Sequence, residues 1–306
     1  MINEKDYLGW QSLELAADQA SLMIPLEIGP RIVSCALPGG DNLFHLVEAQ
    51  RGGSGEPDWL LRGGHRLWHA PEDAIRTYQP DNAPVDVVRA ADGKKIELSA
   101  PVEPRTGLRK SMTVEVIGPE SFRITHRLAN EGLWTVECAP WALTVMERGG
   151  YGIVPLLPKG KHPDDLLPTY SLVPWSYTDL SQPCWALRPD CIGIDTARNN
   201  VPQKLGLTNY PGWSAYWQKS GTFVKHASVI PGATYPDFGC AFETFCCDFM
   251  IEFETLAPLR PIVPGETVTH VEHWGVLADL PRPDNEESYR GPFLDAVNRW
   301  LKTLPL

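Results

Sequence analysis

Apolar and polar residues alternate along most of the chain. Ile96, Leu98, Ala100 and Val102 share one parity, as do Met112, Val114 and Val116, and then Phe122, Ile124, His126 and Leu128. A period of two sets such residues on one face of an extended chain, so each run predicts a strand with one buried side. Gly118-Pro119-Glu120 has the length and residues of a tight turn between two of these strands, and Asn130-Glu131-Gly132 closes the next. Roughly sixteen segments of this kind, most bounded by Gly, Pro or Asn, predict an all-β sandwich or barrel.

The terminal residues break the pattern. Phe293, Val297, Trp300, Leu301 and Leu304 recur at helical spacing after Gly291-Pro292, which predicts a helix with one apolar stripe. A lone helix of ~12 residues is marginal in water, so residues 291–306 are expected to dock on a single β-body formed by residues 1–290. A short helical turn is expected after Pro71-Glu72-Asp73. From Gly149 to Gln182 the chain is rich in Pro, Asp and Tyr and nearly aperiodic, as expected of long loops laid over a sheet edge or a cleft.

Composition narrows the function classes. The 306 residues include 29 prolines and are 43% hydrophobic, enough apolar mass for a packed core and enough proline to exclude long helices. Lys plus Arg is 27 against 38 for Asp plus Glu, a net charge of −11. That balance disfavours nucleic acid or an anionic membrane as partner and suits an uncharged small ligand. Seven cysteines without a C-x-x-C pair point to buried thiols in a reducing compartment, and the opening residues lack a secretion signal, so a cytoplasmic location is expected. No apolar run approaches the ~20 residues of a membrane span. Dinucleotide, P-loop and G-x-S-x-G motifs are absent.

Four features could carry chemistry. Leu61 to Glu72 combines Arg62-Gly63-Gly64 with His65, Arg66, Trp68, His69 and Glu72; His65 and His69 share a face on either a helix or a strand, and a polar surface turn is the alternative. Tyr235-Pro236-Asp237, leading towards Glu243, places a hydroxyl and a carboxylate on a stiffened turn that is either ligand-facing or only structural. In Phe249 to Leu256, Glu252 and Glu254 project the same way about 7 Å apart. Such a pair can raise one pKa for general-base work, or it can be an ordinary solvated sheet face. Eleven tryptophans, Trp141 among them, offer indole faces of the kind on which sugar rings pack.

The ordered set of segments resembles the galactose mutarotase-like superfamily of aldose 1-epimerases and hexose-6-phosphate epimerases. The resemblance lies in Ile28-Gly29-Pro30-Arg31-Ile32 with Asn42-Leu43-Phe44, in Arg62-Gly63-Gly64, in Phe122 to Gly132, and in Glu252-Phe253-Glu254-Thr255 followed by Pro264-Gly265-Glu266-Thr267 and His273-Trp274. It implies a β-supersandwich of large antiparallel sheets that holds a monosaccharide or sugar-like molecule on a concave face, without a cofactor or metal. It also implies ring opening, in which a glutamate takes the anomeric proton while a histidine protonates the ring oxygen. Where that family has a His-Pro-aromatic segment, this chain has Ala139-Pro140-Trp141. The resemblance therefore implies Glu254, or Glu252, as base and His69 or His65 as substitute acid. Arg62, Trp68, Glu72, Trp141, Tyr235, Asp237 and Glu243 are expected to line the site, and Arg62, Arg66 and Lys225 leave a phosphosugar open. A carbohydrate-binding or sensing protein without catalysis is the alternative, with a polysaccharide lyase or hydrolase third. Monomer and homodimer are both compatible with the sequence.

Overall fold

The computed structural model describes residues 1–305, and three antiparallel sheets dominate them. The largest has ten strands, in the spatial order Trp185–Leu187, Cys191–Asp195, Tyr151–Pro155, Trp213–Gln218, Gly221–His226, Thr267–Leu277, Ser121–Asn130, Leu108–Gly118, Lys95–Ser99 and Asp86–Arg89. The second sheet runs Leu172–Pro174, Gln203–Leu207, Phe242–Cys246, Met250–Leu256, Val136–Glu147, His65–Ala70 and Arg31–Ile32, with Arg260–Ile262 on the far end of Val136–Glu147. A smaller N-terminal sheet of Ile2–Tyr7, Trp10–Ala16, Ser21–Pro25 and Ser34–Ala36 adds Leu13, Leu15, Leu22 and Ile24 to the core.

The two large sheets pack face to face. Phe253 of the second meets Tyr216 of the first edge-on, with ring centroids 5.8 Å apart, and Phe44 stands edge-on to Phe223 and Trp274. Phe122, Ile124 and Leu128 are all fully buried, as their shared parity predicts. The turn at Gly118 joins its two strands as expected, and all seven cysteines are free and buried.

Tyr151–Pro155 is a strand inside the stretch expected to be loop. All five of its residues are buried, because one face meets the sandwich core and the other meets the C-terminal helix. A strand covered on both sides has no alternation to read.

That helix forms after Gly291-Pro292 and docks as expected, and a short helical turn precedes it. The Asn285 side chain accepts the Ser288 N–H as a cap. A wider turn at Tyr289–Phe293 follows, kinked at Gly291 (φ −87°, ψ −111°), before the helix Leu294–Leu301. Pro292 lacks an N–H and follows this kink, so it sits at the start of the docked helix, where no partner for that N–H is needed. Tyr289, Phe293, Val297 and Trp300 cover Tyr151, Ile153, Trp213, Ala215 and Val224 on the outer face of the ten-stranded sheet. After Pro71 there is one turn, closed by the Thr77 N–H to the Asp73 carbonyl.

Candidate functional site

Strand register decides which side chains meet. In the second sheet Gly206, Glu243, Glu254, Leu143 and Arg66 form one row across five strands, and Lys204, Phe245, Glu252 and Val145 form the next. Of these, Arg66, Leu143, Lys204, Phe245 and Glu252, with Trp68 and Trp141, line a hollow of about 240 Å³ on the side away from the partner sheet. The Gly63-Gly64 turn sets this phase. Both residues have positive φ, and a Cβ at either would collide with the carbonyl of His45 or Ile32, so the chain enters His65–Ala70 with Arg66 and Trp68 facing the hollow.

Aromatic rings wall the hollow. Trp59 and Trp68 have centroids 5.2 Å apart, Trp68 and Tyr78 4.9 Å, Trp59 and Tyr78 5.1 Å, and Trp68 and Trp141 5.4 Å. The Arg66 guanidinium lies 4.5 Å from the Trp68 ring centroid, and its Nη2 donates to Glu252 at 2.9 Å. Its Nε and Nη1 are buried without a partner. Glu72 accepts from the Tyr78 hydroxyl at 2.5 Å at the rim.

Beneath the wall lies a second charged group. Lys204 Nζ is 2.9 Å from Glu243 and 3.1 Å from Glu254, under the Trp141 and Trp175 rings. Trp141 Nε1 also donates to Glu254 at 2.9 Å. Both carboxylates are fully buried. Burial pushes Glu243 well above the usual carboxylate range against the pull of Lys204, and the facing Glu254 adds to the rise. Glu254 is raised for the same first reason. Lys204, by contrast, is raised because its two carboxylates outweigh the burial that would lower it.

The expected proton relay is not assembled. His65 and His69 do share a face, but it is the one opposite Arg66 and Trp68. His65 lies between the sheets, its Nδ1 2.9 Å from the Thr144 hydroxyl and its Nε2 2.7 Å from His126 Nε2. His69 stands 3.5 Å from Glu103 at one end of the sandwich, beside a separate cavity of about 510 Å³. No histidine lines the hollow. Ala139 faces the same side as Trp141, so the position of the missing histidine holds only a methyl group.

Other expectations are also corrected. Arg62 is wholly buried and clamps its own loop through Asn82, Glu56 and the carbonyls of Gln50 and Gly53. Tyr235 packs in the core, its hydroxyl accepting the Ile230 N–H. Asp237 does not line the hollow, nor do Glu243 and Glu254, which lie under Lys204. Lys225 is buried 2.9 Å from Glu272. The hollow does bring together Glu252, Arg66, Trp68, Glu72 and Trp141. Lys204 and Tyr78 were not anticipated; a lone lysine in the apolar strand Gln203–Leu207 was the available signal for the first.

His65, His126 and Glu272 place ligand atoms within 4.8 Å of one another, close enough to share a metal ion. Every one of those atoms is nevertheless engaged. His126 Nδ1 meets the His270 carbonyl, and Glu272 accepts from Thr255, Lys225 and Trp274. The Lys225 ammonium already supplies positive charge, so the cluster is a satisfied polar network between the sheets.

No family model matches the chain, and no curated protein does. Solved structures do match. A galactose mutarotase-like protein from Clostridium acetobutylicum superposes with a TM-score of 0.59 at 9% identity, over 90% of this chain and 98% of the other. One from Lactobacillus casei gives 0.55 at 9%, over 87% and 99%. A galactose mutarotase related enzyme from Lactobacillus acidophilus gives 0.54 at 9%, over 88% and 98%. The fold is the galactose mutarotase-like β-supersandwich. Among the described residues, no helix is long and apolar enough to cross a membrane.

Proposed function

We propose that the protein recognises a single sugar ring in the hollow of its second sheet. The observation that carries this reading is Arg66: two of its donors are buried without partners beside an aromatic box, while Glu252 fixes the third nitrogen. Buried donors without partners cost free energy, and hydroxyl groups arriving on a ring that stacks on indole would satisfy them. The volume lies below the roughly 300–1,000 Å³ of pockets for drug-sized ligands, which suits one ring. The mutarotase-like fold supports a sugar as the ligand class.

Ring opening needs an acid and a base acting together. Glu252 lines the hollow, but its carboxylate is tied to Arg66, and no imidazole stands across from it. The reading is therefore recognition without histidine-driven anomer exchange. An aldose 1-epimerase-like reaction is the second reading, favoured by the position of Glu252 at the wall; Glu254 is covered by Lys204 and Trp141 and is the poorer base.

The test is titration of a panel of aldoses, followed by magnetisation exchange between anomers. The expected result is saturable binding with anomer exchange no faster than in buffer, and roughly tenfold weaker binding in Arg66→Ala, the loss of about one charged hydrogen bond. Absence of binding by every aldose overturns recognition. Accelerated exchange that disappears in Glu252→Gln replaces it with the second reading.

A further inference from the structure

A cavity of about 420 Å³ adjoins the hollow, and the two share Trp59 and Tyr78 as lining residues. The rings that box the first sugar therefore also present surface to a second space. That space contains Asp81, whose Oδ2 accepts from the wholly buried Arg31 at 2.6 Å and whose Oδ1 is buried without a partner. Trp59 Nε1 is a buried donor, also without a partner. An acceptor and an indole donor without partners, beside aromatic faces, are groups that the hydroxyls of a stacked sugar ring can satisfy.

Charge narrows the ligand. Asp58, Asp81 and Glu103 line the cavity against Lys110 and Arg105, and Lys110 is already 2.6 Å from Glu103. Arg105 forms no ion pair among the described residues, but the three lining carboxylates outnumber the two lining cations, a balance that favours a neutral occupant over a phosphate or carboxylate.

We propose that this cavity is a second sugar subsite and that the ligand is a neutral oligosaccharide of at least two rings, laid across Trp59 and Tyr78. The inference rests on sugar recognition in the hollow and extends it from one ring to a chain.

Ala83 lines the second cavity but not the first, and it is exposed, so Ala83→Trp fills the subsite without disturbing the hollow. The experiment is calorimetric titration of wild type and Ala83→Trp with glucose, galactose, maltose, cellobiose, lactose and melibiose. The expected result is a disaccharide that binds wild type at least tenfold more tightly than its constituent monosaccharides. In the variant that advantage disappears while monosaccharide affinity is retained. Equal affinity for one and two rings in wild type overturns the subsite and leaves recognition standing, as does an advantage that survives in Ala83→Trp. Absence of binding by all six sugars overturns both.

Discussion

Glu243→Gln is expected to stabilise the protein at neutral pH, although it removes half of a buried ion pair. Glu243 and Glu254 face each other across adjacent strands and share one ammonium, Lys204. All three groups are buried, so ionising both carboxylates would leave one buried negative charge without compensation. Burial holds the Glu243 pKa well up, and the folded protein keeps a proton on the pair that the unfolded chain releases near its ordinary pKa of about 4.3. A group raised on folding contributes stability at low pH and loses it as pH rises, by about 1.4 kcal/mol per pH unit while the proton is retained. Between about 4.3 and 7 the ceiling is roughly 3–4 kcal/mol. Glutamine mimics the neutral acid and avoids that loss, while giving up part of a charged hydrogen bond of about 1.5–3 kcal/mol. The net expectation is a gain of about 1–2 kcal/mol at pH 7, growing towards pH 8. Urea denaturation of wild type and variant at pH 6, 7 and 8 measures it, and groups other than the pair cancel in the difference. A variant less stable than wild type at pH 7 and 8, or a difference that does not change with pH, refutes the reasoning.

Acidification tests the opposite sign between the sheets. Burial lowers His126 to about 4 and His270 to about 3, so the unfolded chain takes up protons first, near 6.5. In the Glu243→Gln background each histidine is expected to remove roughly 2 kcal/mol of stability between pH 7 and 5; a flat urea midpoint over that window contradicts it. A third expectation concerns the helix dock. A Cβ at Gly275 would run into the Trp300 indole, whose Nε1 donates to the Ser121 hydroxyl at 2.9 Å. Gly275→Val should therefore cost about 1–3 kcal/mol, read as a lowered Tm, and an unchanged Tm would show that the helix can yield there.

Alternation was sufficient to read the fold class, because a period of two reports directly which side of a strand is buried. The docked helix was legible for the same reason at a different period. Parity also grouped Glu252 with Glu254, and His65 with His69, correctly. It could not say which face of a strand meets the other sheet and which meets the hollow, since both faces of the second sheet are buried. The histidines were therefore expected on the wrong side of their own strand. Nor could parity separate Glu252 at the wall from Glu254 beneath it, because depth depends on what covers each residue. Here the cover is Lys204 and Trp141, from strands distant in the chain.

What the amino-acid order determined alone was local: strands, turns, an amphipathic helix, and the absence of a histidine before Pro140. The aromatic box, the Arg66 donors without partners and the single ammonium between two carboxylates were decided by register across five strands. Contacts between residues as far apart as Arg66 and Glu252 arise only when the sheet closes, and only such closure can remove a charge from water and leave it in need of a ligand.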